Sequence, residues 1–334
     1  MTRPLLLLAS LLVACSAAPD DASSAAETEL AHPPARPTEN VSGTTRWYVV
    51  DRYRLGAFDA KGGGSYTAWR SQGFDLDGRA TSAEDSKAGR GACVQKTNAP
   101  QVKLTDGDRG IDNNFGQSFM SAARSIMPDV EKLTNERVTA GGYTLVLRID
   151  DLGSGADDAY APGALYFVGP RSEPRFSPDE KWPVVGTTLA PIATFGAGYV
   201  RNGTWVSGDL GAELPTVALP MLGDALLAPL YGGVFALELA RGEGVMAGAV
   251  RTTDFLEAMR SSLTRRRICP GMAVYTAYEE VVTNSPDLVA ALPLSADPTK
   301  ACDAMSLGVG FTVKPIAGVE GVTGAPTPPK PDCE

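Results

Sequence analysis

From Trp47 to Leu55 the chain alternates with a period of two, Trp47, Val49, Asp51, Tyr53 and Leu55 on one side and Tyr48, Val50, Arg52 and Arg54 on the other, both faces being partly apolar. A two-residue period in a run rich in aromatic and β-branched side chains predicts a strand. The period changes at Phe115, Phe119, Ala122, Ala123 and Ile126, whose spacing predicts a helix, and Pro128 separates it from a shorter turn carrying Val130 and Leu133. Gly141-Gly142 then releases the chain into Tyr143, Leu145, Leu147 and Ile149, a second alternating run, and Ala164 to Val168 predicts a third strand. Between Gly186 and Met221, short apolar runs are broken repeatedly by Gly and Pro, with Thr204–Val206 and Leu214–Leu219 the clearest strands. Phe235–Leu239 and Val245–Val250 flank Gly242-Glu243-Gly244, which predicts a hairpin.

Further on, Thr253 is placed to cap a helix with Asp254 and Glu257 near its positive end and Phe255, Leu256, Met259 and Leu263 on its buried stripe. Val274, Tyr278, Val281 and Val282 predict another helix, and Ser285-Pro286 reads as the cap and first position of a short one running through Leu288 and Leu292. The last alternation, Leu307, Val309, Phe311 and Val313 against Ser306, Gly308, Gly310 and Thr312, is a strand with one apolar face and one face of small residues. The predicted class is mainly β with helical insertions (α+β), built on an antiparallel β-sandwich-like core.

Composition narrows the function. The formal charge of −9 argues against nucleic acid as a partner. The single histidine, His32, lies in a Pro/Ala stretch, which excludes a Ser-His-Asp triad or a multi-histidine metal site in the body. At the front, Arg3 precedes apolar Leu5–Leu8 and Leu11–Ala14, too short a run to span a bilayer and consistent with an export signal. Leu12 and Ala14 ahead of Cys15 resemble the lipobox of bacterial lipoproteins. That resemblance implies removal of residues 1–14, acylation of Cys15 (palmitate among the chains), and stable anchoring in a bilayer. Ser16 rather than Asp after the cysteine implies the outer membrane of the cell envelope, facing the periplasm or the surface. The expected organisation is a signal peptide over 1–14, the lipidated cysteine and a disordered tether over 15–43, one β-rich domain over 44–319 and a Pro/Gly-rich tail over 320–334.

Four cysteines remain, Cys93, Cys269, Cys302 and Cys333, and an even number in an exported chain points to disulfides with three pairings open. Cys269–Cys302 with Cys93–Cys333 is favoured because the first two bracket the helices ahead of the last strand; free buried thiols are the alternative. Carboxylates concentrate at Asp75 and Asp77, at Glu84 and Asp85, and at Asp106, Asp108 and Asp112, interleaved with glycine. Asp75, Asp77, Asp106, Asp108 and Asp112 are therefore candidate Ca²⁺ ligands, since that ion takes six to eight hard oxygens in irregular geometry. The same Asp-Gly pairs also form ordinary turns, with Asp112 or Asn113 capping the helix that follows. A second chemistry, a carbohydrate-active hydrolase, requires a carboxyl pair; Asp150-Asp151 and Asp157-Asp158 beside Tyr160, Tyr166 and Trp182 are the residues available, although Arg148 is placed to pair with Asp150.

Three strings, Asp-Leu-Asp-Gly at 75–78, Asp-Gly-Asp-Arg-Gly-Ile-Asp-Asn at 106–113 and Cys-Asp-Ala-Met-Ser-Leu-Gly-Val-Gly-Phe at 302–311, together with the lipobox, resemble a group of uncharacterised lipoproteins common in myxobacteria. The resemblance implies location and fold continuity and no reaction. The functional expectation is a membrane-anchored envelope lipoprotein acting as a structural or glycan- or protein-binding module; the alternative is the hydrolase.

Overall fold

The computed structural model describes residues 31–59, 63–95, 104–210, 213–221, 224–324 and 333. Cys15, the signal segment and most of the C-terminal tail lie outside the described residues. Strand β1 (Thr44–Arg54) is followed by the short helix α1 (Ala83–Lys87), then α2 (Met120–Ile126) and α3 (Val130–Thr139). Strands β2 (Thr144–Leu152), β3 (Gly163–Val168), β4 (Lys181–Val185), β5 (Ala193–Phe195), β6 (Tyr199–Arg201), β7 (Thr204–Val206), β8 (Glu213–Met221), β9 (Asp224–Glu238) and β10 (Glu243–Arg251) come next. Helices α4 (Thr252–Thr264) and α5 (Ala273–Asn284) lead to β11 (Ala304–Ile316) and β12 (Gly318–Thr323).

The strands form one continuous sheet in the order β12-β4-β3-β2-β1-β11-β10-β9-β7-β6, with β5 added to β3 and β8 to β9. Neighbours are antiparallel except β12 on β4. The α+β, β-rich class predicted from the alternation is present, and its layering comes from curvature. The sheet rolls until β8 packs near β2 and β5, so distant strands of one sheet face each other across the core. Trp205, Phe195, Phe235 and Phe311 fill that inner space with ring centroids 5.5–6.2 Å apart. The helices close its open side: Phe119 meets Phe255 edge-on at 5.0 Å, joining the 115–126 helical segment to α4.

The outer face of β9, β10 and β11 is lined by Ala236, Ala247, Ala249 and Ala304, and loops rather than helices lie on it, burying Leu76, Leu288 and Leu294. Small side chains let loop backbone approach the sheet. At Gly308 a Cβ would come within 2.1 Å of the Gln72 carbonyl oxygen, which explains the small-residue face of β11.

Several local expectations change. Residues 285–294 form no helix. Ser285 ends α5, with its Oγ donating to the Val281 carbonyl, and the chain continues extended so that Asp287 and Leu288 donate from their backbone N–H groups to the Ala304 carbonyl. Pairing with β11 has overridden the Ser-Pro start signal. Helix α4 begins at Thr252, with Arg251 rather than Thr253 at its cap. The body also reaches past both expected boundaries. Strand β12 continues to Thr323, and residues 31–43 are not a free tether: Ala31 is buried, donates to the Arg109 carbonyl and accepts from the Asp75 N–H.

The favoured disulfides, Cys269–Cys302 and Cys93–Cys333, are replaced by Cys93–Cys302 and Cys269–Cys333. The reason is a β-bridge between Val94 and Ala301, which brings the Cys93 and Cys302 Cα atoms to 5.2 Å, within disulfide reach. Cys269 is left for Cys333, at a Cα separation of 5.4 Å.

Candidate functional site

The loops on the outer face of β11 bring the three sequence strings together. Asn113 begins the helical segment, its Oδ1 accepting from the Gly116 N–H, as expected for a capping residue. The same amide clasps the strand: Nδ2 donates to the Gly308 carbonyl (2.9 Å), and Oδ1 accepts from the Gly308 N–H (3.0 Å). Next to it, Asp112 Oδ2 accepts from the Leu76 N–H at 2.7 Å, and the Asp112 N–H donates to the Phe74 carbonyl, which ties the 75–78 string to the 106–113 string. Ser306 of β11 accepts at Oγ from the Asn114 N–H and holds Asp287 through its own N–H and hydroxyl.

The result is a small chamber of carboxylates. Asp77, Asp106, Asp112 and Asp287 line a cavity of ≈ 10 Å³, with Thr81 and Thr105 among its other walls. That is about the space of one water molecule or one ion. Asp75 adjoins it, and one oxygen each from Asp75, Asp77 and Asp112 lie within 4.8 Å of one another. Backbone N–H groups hold one side of these carboxylates. Asp75 Oδ1 accepts from Gly78 and Arg79, Asp77 Oδ1 from Arg79, and Asp106 Oδ2 from Thr81. Gly78 makes this possible by adopting φ +78°, a left-handed turn that bends the backbone amides toward the acids. The other oxygens of Asp75 and Asp77, both Oδ2, are buried without a hydrogen-bond partner.

Electrostatics reflect this arrangement. Burial, followed by mutual repulsion, pushes Asp77, Asp106 and Asp112 above the ordinary carboxylate range. Burial raises Asp75 as well, opposed by nearby His32. Asp287 is raised to about 7 by burial, against the opposing effect of its Ser306 bonds. Five acids therefore share a pocket that disfavours their charged forms.

Of the five Ca²⁺ candidates in the sequence, Asp75, Asp77, Asp106 and Asp112 converge. Asp108 does not: it faces outward, paired with Arg70 Nε at 3.1 Å, in a turn where Arg109 takes a left-handed conformation (φ 56°). Glu84 and Asp85 belong to α1, where Asp85 closes a capping box with Ser82. Sequence reading missed Asp287, which the Ser-Pro signal had assigned to the first turn of a helix. The one available clue was the small face of β11, which implied that another segment must lie there.

The second set of carboxylates is spread along the other end of β2. Asp150 pairs with Arg148 at 2.9 Å, Asp157 with Arg201 at 2.7 Å, and Asp151 accepts from the Gly43 N–H. Asp158, 1% exposed, accepts from the N–H groups of Val41, Gly153 and Tyr160. Trp182 and Tyr166 are buried in a packed cluster and present no aromatic platform. Among the described residues no helix is long and apolar enough to cross a membrane. No family model, curated protein or solved structure matches the chain.

Proposed function

We propose that this chain is an exported lipoprotein, anchored through acylated Cys15 in the outer membrane, whose body serves as a structural or glycan- or protein-binding module of the cell envelope. The observation that carries the reading is the strap over residues 31–43. Tyr199 donates its hydroxyl to the Pro34 carbonyl at 2.6 Å, and Arg36 stacks over the Tyr199 ring while donating to the carbonyls of Ala159 and Ala197. With Ala31 bonded to two further loops, a pull on the chain from Cys15 meets these contacts before it reaches β1. The fifteen residues between Cys15 and Ala31 give at most about 58 Å of reach. Two disulfides also suit an oxidising compartment.

Hydrolysis by a carboxyl pair draws less support. The acids at the end of β2 are bound to arginines and backbone N–H groups, and of the three aromatic residues the Trp182 and Tyr166 rings are covered, leaving Tyr160 alone exposed. The anchor is tested by growing cells on a palmitate analogue with the wild-type chain or Cys15→Ser. Label should enter the wild type and be absent from the variant, which should also leave the membrane fraction. Equal incorporation into both would remove the anchor.

A further inference from the structure

We propose that the aspartate chamber on the outer face of β11 is a calcium-binding site, with Asp75, Asp77 and Asp112 giving the ion its first carboxylate oxygens and Asp106 and Asp287 closing the cavity around it.

The acidic cluster is not the whole case; the unsatisfied oxygens point to a ligand. Asp75 is fully buried and Asp77 is 7% exposed, yet Oδ2 of each is buried with no hydrogen-bond partner. A buried polar atom left unpaired costs free energy, and a carboxylate more than a neutral group. These two side chains are not loose. Their Oδ1 atoms are held by the N–H groups of Gly78 and Arg79, so the turn around Gly78 aims the Oδ2 atoms and maintains them there. One oxygen from each of Asp75, Asp77 and Asp112 lies within 4.8 Å of the others, so a cation among them meets all three carboxylates from one point. That spread fits a coordination shell of radius about 2.4 Å, the range of calcium–oxygen distances.

The donor set selects the ion. The carboxylates that line the cavity offer hard oxygen, as do Thr81 and Thr105 at the same wall. His32 Nε2, the nearby nitrogen, is 3.5 Å from Asp75 Oδ2, and that side chain is half-exposed. Oxygen-only, irregular coordination suits calcium; zinc takes nitrogen and sulfur, and magnesium needs near-ideal octahedral geometry at shorter distances. The cavity admits about one ion. Its walls come from the 75–78 turn, the 106–113 loop and the segment at Asp287, so a bound ion cross-links three pieces of chain that the backbone alone connects only through long excursions.

This inference does not depend on the membrane anchor. The full chain, purified in detergent with its disulfides formed and stripped of metal by chelator, is titrated with CaCl₂ and separately with MgCl₂ by calorimetry and thermal melting. One calcium per chain is expected, bound at least tenfold tighter than magnesium. At a hundredfold excess over Kd, the melting temperature should rise by about 5 °C. Asp77→Asn should weaken calcium binding at least tenfold while its metal-free form melts at or above the wild type, because the amide nitrogen that replaces a partnerless oxygen can donate to the neighbouring carboxylates. Asp287→Asn should weaken binding in the same direction, and Asp108→Asn, outside the chamber, should leave it unchanged. The proposal is overturned by a wild-type chain that gives neither heat nor a melting shift, which would mean the acids only share protons. It is equally overturned by magnesium binding as tightly, by Asp108→Asn losing as much as Asp77→Asn, or by metal-free Asp77→Asn melting well below the wild type.

Discussion

The chamber on β11 and the carboxylates at the end of β2 contain the same chemical group at similar density, and the chain treats them in opposite ways. At the β2 end each acid has a matching donor: Arg148 for Asp150, Arg201 for Asp157, and three backbone N–H groups for Asp158. In the chamber, five acids gather around a few N–H donors; two oxygens have no hydrogen bond, and one of these, Asp75 Oδ2, has an ionisable partner, His32 Nε2 at 3.5 Å. The lesson is that the number of carboxylates in a loop says little about its role. What matters is the number of donors that folding delivers to them, and a shortfall marks the place where something from outside the chain completes the structure.

The comparison can be broken most severely at the staple that only the chamber side carries. Cys93 lies one residue from Ala92, a wall of the cavity, and its bond to Cys302 spans a sequence separation of 209. Replacing both cysteines by serine should cost about 4 kcal/mol in urea unfolding, because the disulfide restricts a long loop in the unfolded chain. A loss under 1 kcal/mol would show that the loops hold their places without it.

Substitution of matched acids sharpens the contrast. Asp158→Ala should cost about 3 kcal/mol, since it strands backbone donors in a buried site. In metal-free protein, Asp77→Asn should cost nothing or stabilise. If urea titration gave the two changes the same sign and size, the distinction between supplied and unsupplied acids would fail.

Glu131 is an intermediate case, a buried acid alone with two donors. Its Oε2 accepts from the Leu55 and Ala57 N–H groups, yet burial raises it from 4.5 to about 7. The unfolded chain then releases this proton at lower pH than the folded one. Its contribution to stability is therefore fullest below pH 4.5, declines as pH rises to about 7, and is level above that. The difference between wild type and Glu131→Gln, measured by urea unfolding at pH 4 and pH 8, should change by up to about 3 kcal/mol in favour of the variant. No change between the two values would mean that the two N–H groups already offset the burial.

Much of the architecture was legible because strand and helix periods are local. The alternation at 143–149 and 307–313 sets which side chains face inward, and β2 and β11 follow it. In β1 a bulge between Val50 and Arg52 exchanges the faces, so that Tyr48, Val50, Tyr53 and Leu55 share the large core while Trp47 and Val49 pack on the other side. The small face of β11 was equally visible, but what lies on Gly308 and Ser306 was not. The curl of a single sheet into facing layers was not legible, because it is the sum of twists and pairings over the whole molecule. Nor were the disulfide partners, which a bridge between Val94 and Ala301 decides.

By itself, the sequence determined the periodicity of these elements, the places where glycine and aspartate force the chain to turn, and the limit of one histidine on any chemistry the body can build. Only the tertiary structure decided which aspartates meet. Asp108 and Asp112 are four residues apart and part company at a left-handed arginine; Asp77 and Asp287 are far apart in the chain and line the same cavity. The physical reason is that a turn's direction depends on the backbone angles of single residues, whereas a shared cavity depends on which surface each loop can approach. Here that surface is a strand whose outward side chains are small enough to let three loops lie down on it.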